Sequence, residues 1–151
     1  MENIEYRQYE WESDDHKKAL ILRAGVMALP FGVTDWSRDL VFGDHSDEKE
    51  QFLLGAFVGD CVVGSVNLEI MPEKRLMLRQ LAVHPSARGQ GVARGLMELA
   101  EKTARENGFR EIELHARPNV IAMYEKFGYV STGEQEVCPQ IILTQMIRTL
   151  D

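Results

Sequence analysis

Apolar and polar residues alternate in two rhythms along this chain, and the switches between them mark out its elements. The opening IEYRQYEW alternates with a period of two, as a half-buried strand does. At SDDHKKALILRAGVMAL the period changes. Cap-type residues come first, then apolar positions at helical spacing: Ala19, Leu20, Leu22, Val26 and Leu29. PFGVTDW stops that helix, and an acidic loop or short helix runs on to Glu50. QFLLGAFVGDCVVGSVNLEIM reads as two strands joined at Gly59-Asp60, a hairpin signal.

RLMLRQLAVHP is a further strand, ended by Pro85. A helix is expected from about Gly91 to Asn107, with Val92, Leu96, Leu99, Ala100 and Thr103 on one face and Gly108 as its stop. REIELHA is a strand, NVIAMYEKF a short helix ended at Gly128, and QIILTQMIRTL a final strand free to pair across a dimer. The expected order is β-α-(α)-β-β-β-α-β-α-β-β. That order gives an α/β (or α+β) fold, a mixed sheet with helices on its faces. With 151 residues the chain is long enough for one domain with a sizeable core and short for two. A single domain over residues 1–151 is therefore expected.

Composition narrows the class. Hydrophobic residues make up 44% and charged residues 27%, the mix of a soluble globular protein. The charged, alternating N-terminus resembles neither a signal peptide nor an anchor, and no apolar run approaches the roughly 18 residues of a membrane span. Cys61 and Cys138 lie far apart without CxxC spacing, which argues against a disulfide framework or a zinc site, and no metal is expected. A reducing cytoplasm is the expected location. Residues 1–75 hold 15 Asp/Glu against 8 Lys/Arg, a net of −7, whereas residues 76–151 hold 9 of each. An acidic chain of this kind is a poor partner for nucleic acid. The one-sided excess serves solubility, or it makes an acidic mouth that attracts a cation.

VHPSARGQGVARGLM, residues 83–97, is the stretch with the clearest chemistry. Gly89 and Gly91 leave backbone N–H groups unobstructed where a helix begins, and that end carries partial positive charge. An anionic oxygen can sit on several such donors, and Arg88 adds a charged donor suited to phosphate. A strand-to-helix turn also uses glycine for purely conformational reasons. No Lys-Ser/Thr follows the glycines, so this is no P-loop, and GxGxxG is incomplete because Arg94 stands at the third glycine.

The neighbours sharpen the reading. Arg88-x-x-Gly91-x-Ala93 follows LAVHP and precedes a short helix ending Tyr124-Glu-Lys-Phe-Gly-Tyr129. This ordered set resembles the GNAT superfamily of acetyl-CoA-dependent N-acetyltransferases. The likeness in these motifs covers residues 50–130 and is only architectural before them. It implies a GNAT-like mixed, largely antiparallel central sheet of about seven strands flanked by helices. It also implies that the pyrophosphate of coenzyme A lies on Arg88, Gly89, Gln90, Gly91, Val92 and Ala93. The pantetheine arm would pair with the backbone of Leu81, Ala82 and Val83, and Tyr124 would protonate the departing thiolate. Arg117 stands where many members carry an asparagine that contacts pantetheine; Asn119, two residues on, is the candidate to take that contact.

The general base is open. Some members place a glutamate early on the strand before the glycine loop, but RLMLRQLAV has no carboxylate. Glu69, His115 and water are the substitutes. The resemblance implies acetyl transfer to a primary amine of a small, cationic acceptor, by direct attack in a ternary complex. A non-catalytic acyl-CoA-binding module, or transfer of another acyl group, is the alternative.

Overall fold

The structure is a computed structural model and describes residues 3–138 and 141–151. Seven strands form one sheet in the order β1-β2-β3-β4-β5-β7-β6. The strands are β1 Glu5–Gln8, β2 Phe52–Val58, β3 Cys61–Met71, β4 Arg75–Val83, β5 Glu111–Ala116, β6 Val130–Cys138 and β7 Ile141–Thr149. The helices are α1 Asp14–Arg23, α2 Asp35–Phe42, α3 Val92–Glu106 and α4 Ile121–Lys126. Pairing is antiparallel at β1–β2, β2–β3, β5–β7 and β6–β7, and parallel at β4–β5. A parallel pair needs a crossover, and α3 supplies it. The expected mixed, largely antiparallel sheet is the one observed. By contacts the chain divides into two compact units, Met1–Glu69 with Arg79–Ala100, and Ile70–Leu78 with Glu101–Asp151.

In the first unit, β2 and β3 turn at Gly59, whose φ of 58° is what a two-residue hairpin needs. One core cluster joins Tyr9, Ala19, Leu53 and Phe57, with Trp11 and Val62 packed against it. Ser13 caps α1, its hydroxyl accepting from the His16 N–H at 3.2 Å. The expected helix to Leu29 does not hold its period. A π-helical turn over Ala24–Ala28 adds a residue per turn, so Ala24 and Ala28 are buried while Leu29 is 48% exposed. The expected acidic segment resolves into α2 and a 3₁₀ turn over Ser46–Glu50. Thr34 starts α2 with a reciprocal capping box to Ser37.

In the second unit, β5 alternates as a half-buried strand must. Ile112, Leu114 and Ala116 are buried on one face; Glu111, Glu113 and His115 share the other, where Glu113 is buried as well. Met146 of β7 is fully buried, and Leu150 N–H closes the end of the chain onto the Arg110 carbonyl at 2.7 Å. The final strand differs from expectation in position. β7 lies between β5 and β6 with ladders on both sides, so the strand at the end of the sheet is β6. Pairing of β7 across a dimer would require displacing one of those neighbours. Gln140, the first residue of the expected strand, lies outside the described residues, as does the side chain of Cys138.

Candidate functional site

The glycine loop forms because β4 is ended by a proline turn. His84 N–H still pairs with the Val63 carbonyl at 2.8 Å, and its Nδ1 then accepts from the Ser86 N–H, starting a 3₁₀ turn over Pro85–Ala87. Ala87 plugs into the core, while Arg88, Gly89, Gln90 and Gly91 stand exposed. Gly89 and Gly91 have φ of 78° and 80°, backbone that side-chain-bearing residues rarely adopt. A methyl group built on either would meet no heavy atom within 4 Å. These glycines are therefore set by conformation, and the space beside them is open.

α3 begins immediately after, and its first-turn N–H groups lack intrahelical partners. Helices usually place acidic side chains there, but the first turn of α3 has none. Val92, Leu96, Met97 and Ala100 anchor the helix on its buried face. Val92 and Leu96 lie so close to β3 that a side chain on Gly64 would overlap them. Val92 thus offers a ligand only its backbone. Tyr6 Oη donates to the Gly91 carbonyl at 3.4 Å and its ring covers Gly95, tying β1 to the loop. A cleft of about 720 Å³ opens on the loop's flank, lined by residues including Lys18, Ile21, Val62, His84, Ala87 and Gln90. An anion fits this loop on geometry and on charge.

Leu81, Ala82 and Val83 form the last three residues of β4. Ala82 is buried and its neighbours are half-buried. The parallel ladder to β5 pairs Arg75–Met77 with Glu111–Glu113, the first three residues of each strand. Beyond it Gln80 takes a φ of 62°, a left-handed kink within the strand. In the second unit, Tyr124 is 8% exposed, and burial pushes its hydroxyl up to about 12. Its ring meets Tyr129 edge-on at 5.9 Å. Asn119 and Arg117 are exposed at the short turn before α4.

Both residues considered as a base are already engaged. Glu69 pairs with Arg79 at 3.3 Å. His115 lies between two carboxylates, Glu113 at 2.8 Å and Glu136 at 3.2 Å, and Glu113 also takes Arg75 at 2.9 Å. Burial raises the Glu113 carboxyl, but donation from Gln145, His115 and Arg75 brings it below its usual range.

Sequence reasoning missed a buried polar network in the first unit. Arg23, fully buried, donates from both terminal nitrogens to Glu48, at 2.8 and 3.0 Å, and to Asn67 Oδ1 at 2.9 Å. His16 Nε2 meets Glu48 at 3.0 Å, while its Nδ1 accepts from the Glu12 N–H at 2.9 Å. Burial raises the Glu48 carboxyl, and donation from His16 and Arg23 outweighs it, holding the group well below the carboxylate range. The available signal was Arg23 itself, a charge four residues after Ala19 on the inward stripe of α1. His45, Asp47 and Glu48 bring ligand-type atoms within 4.8 Å of one another. Both Glu48 oxygens already accept from Arg23, whose charge opposes a second cation there.

The acetyltransferase (GNAT) family matches residues 5–129. Streptothricin acetyltransferase of Escherichia coli is 29% identical over 104 residues, covering 67% of this chain and 59% of that protein. The chain spans between 38% and 59% of the length of three curated relatives it matches. Among solved structures, an acyl-CoA N-acyltransferase from Pseudomonas aeruginosa superposes with a TM-score of 0.77 at 18% identity, covering 97% of this chain and 99% of that one. An aminoglycoside 6′-N-acetyltransferase complexed with coenzyme A gives 0.74 at 18%, covering 96% of each. Among the described residues, no helix is long and apolar enough to cross a membrane.

Proposed function

Because the chain belongs to the acetyltransferase (GNAT) family, we propose that it is an acetyl-CoA-dependent N-acetyltransferase acting on a primary amine of a small, cationic acceptor. Residues 1–151 act as one domain in this reading. The observation that carries it is the loop at Gly89 and Gly91: positive φ, open space beside both glycines, and a helix start with no acidic side chain. Acetyl-CoA, when bound, supplies the acyl group as an activated thioester.

Each residue set has its part. Arg88 and the N–H groups from Gly89 to Ala93, Gln90 and Val92 included, hold the pyrophosphate. Backbone N–H and C=O groups of Leu81, Ala82 and Val83 bind the amides of the pantetheine arm as an added strand would. Asn119 is the side-chain donor toward that arm. In this reading Tyr124, protonated at neutral pH as any tyrosine is, gives its proton from Oη to the departing sulfur. Burial lifts the hydroxyl to about 12 and so weakens it as an acid, which makes the transfer depend on direct contact with the thiolate. The sulfur, with an ordinary value near 8.5, takes it readily only once desolvated.

The amine must lose a proton before it attacks, and an alkyl amine near 10.4 is mostly protonated at pH 7. Glu69 is held by Arg79 and both ring nitrogens of His115 are taken by carboxylates, so in this reading water accepts the proton. The acidic first half of the chain supports a cationic acceptor. So does the likeness to enzymes named for acetylating streptothricin and an aminoglycoside. Thiol release from acetyl-CoA across an amine panel tests the proposal. Amine-dependent release supports it; coenzyme A binding without release from any amine points to an acyl-CoA-binding module.

A further inference from the structure

We infer that the Arg23–Glu48 ion pair is a staple that sets the position of segment 24–47, and through it the acceptor side of the reaction. The second half of this inference rests on the function proposed above. Residues 23 and 48 mark the two ends of one excursion of the chain between α1 and β2, and the pair closes it at its base. The excursion carries the π-helical turn, α2, and the acidic residues Asp35, Asp39, Asp44 and Asp47; these carboxylates are the reason for assigning a cationic acceptor to this segment. It also exposes Trp36 and Phe42, at 48% and 86%.

Among the described residues, one apolar cluster within it joins Ala24, Ala28 and Leu40, with Val41 against them. Apolar contact of this kind is non-directional. A bidentate guanidinium–carboxylate pair is directional and fixes distance and angle together. The network extends this grip. Arg23 reaches Asn67 of β3, and Asn67 Nδ2 donates to Gln51 Oε1 at 3.1 Å. The far end of the excursion is held at His45 as well, whose carbonyl accepts from Trp11 Nε1 at 2.9 Å. The Glu12 N–H on His16 Nδ1 leaves His16 Nε2 as the donor to Glu48, so the imidazole is a neutral strut.

A buried ion pair is a costly way to gain stability alone, because matched apolar residues serve as well or better. What apolar residues do not reproduce is direction. Arg23 and Glu48 are therefore positioning residues that act through segment 24–47.

The test compares wild type, Glu48→Gln and the apolar double variant Arg23→Met/Glu48→Leu. Amide hydrogen exchange is read over residues 24–47 and over α3, and KM is measured for acetyl-CoA and for spermidine as the amine. The staple predicts exchange about tenfold faster in 24–47 with α3 unchanged, even in the double variant if its melting temperature is restored. It also predicts a spermidine KM raised about tenfold with the acetyl-CoA KM within about twofold of wild type. Wild-type exchange throughout 24–47 in the folded double variant would overturn the staple. Exchange that rises equally in α3 overturns it too, since that is global loss of stability. Faster exchange in 24–47 with an unchanged spermidine KM removes the acceptor half alone. Wild type that releases no thiol with spermidine counts against the proposed acceptor, while exchange still decides the staple.

Discussion

Tyr6 lies against Gly95 so closely that a methyl group on residue 95 would overlap its ring. The contact clamps β1 to the first turns of α3, and the same tyrosine donates to the Gly91 carbonyl. Alanine is the better helix former by about 1 kcal/mol, so propensity alone predicts that Gly95→Ala stabilises. The atoms the methyl meets are the tip of a half-buried side chain that can swing aside, so the cost is the lost Tyr6 contact rather than core overpacking. Urea unfolding of Gly95→Ala should therefore show a gain smaller than about 1 kcal/mol. In a Tyr6→Ala background the full gain should appear, a non-additivity expected of residues in contact.

Acid should attack the Arg23–Glu48 pair. The folded-state Glu48 carboxyl lies below its ordinary value of 4.5. The unfolded chain therefore binds this proton first as pH falls. The pair contributes its full stability above 4.5 and loses it progressively below. Stability measured from pH 7 down should fall less steeply below 4.5 in Glu48→Gln than in wild type. Glu48→Ala, which strands a buried guanidinium, should cost about 3–5 kcal/mol at pH 7.

Tyr124→Phe should lower amine-dependent thiol release by about 10²–10⁴-fold. Coenzyme A affinity should hold, because only the proton donor is lost. Unchanged turnover would remove Tyr124 from the chemistry and leave it as the aromatic partner of Tyr129.

Glu69→Gln and His115→Ala should each leave thiol release within about threefold of wild type, because Glu69 is held by Arg79 and both ring nitrogens of His115 face carboxylates. A loss of about 10²-fold or more in either would identify the base and refute water in that role.

The parts of the fold that repeat locally were legible in the sequence. Alternation located the hairpin at Gly59-Asp60 and the strand leading to Pro85, and the turn chemistry of Gly89 and Gly91 located the loop. The π-helical turn at Ala24–Ala28 was not legible, because a change of helical period leaves small residues looking like any other stripe. The expected order counts a strand before the last one, but the bounds of β6 were not legible because VSTGEQEV is mostly polar, as suits the end of a sheet, and offers no apolar alternation to read. The Arg23–Glu48 pair joins residues 25 apart. Pairing at that distance is a tertiary fact, and only the inward placement of Arg23 hinted at it.

The loop itself carries the central claim, and calorimetric titration of coenzyme A into wild type and Gly91→Val tests it most directly. A β-branched residue at a φ of 80° costs about 1–2 kcal/mol or more and fills the open side of the loop. The account predicts measurable binding by wild type and an affinity at least about tenfold weaker in the variant, with the melting temperature lowered only by the few degrees that this strain implies. Equal affinity in the two proteins, or no binding by wild type, would contradict it.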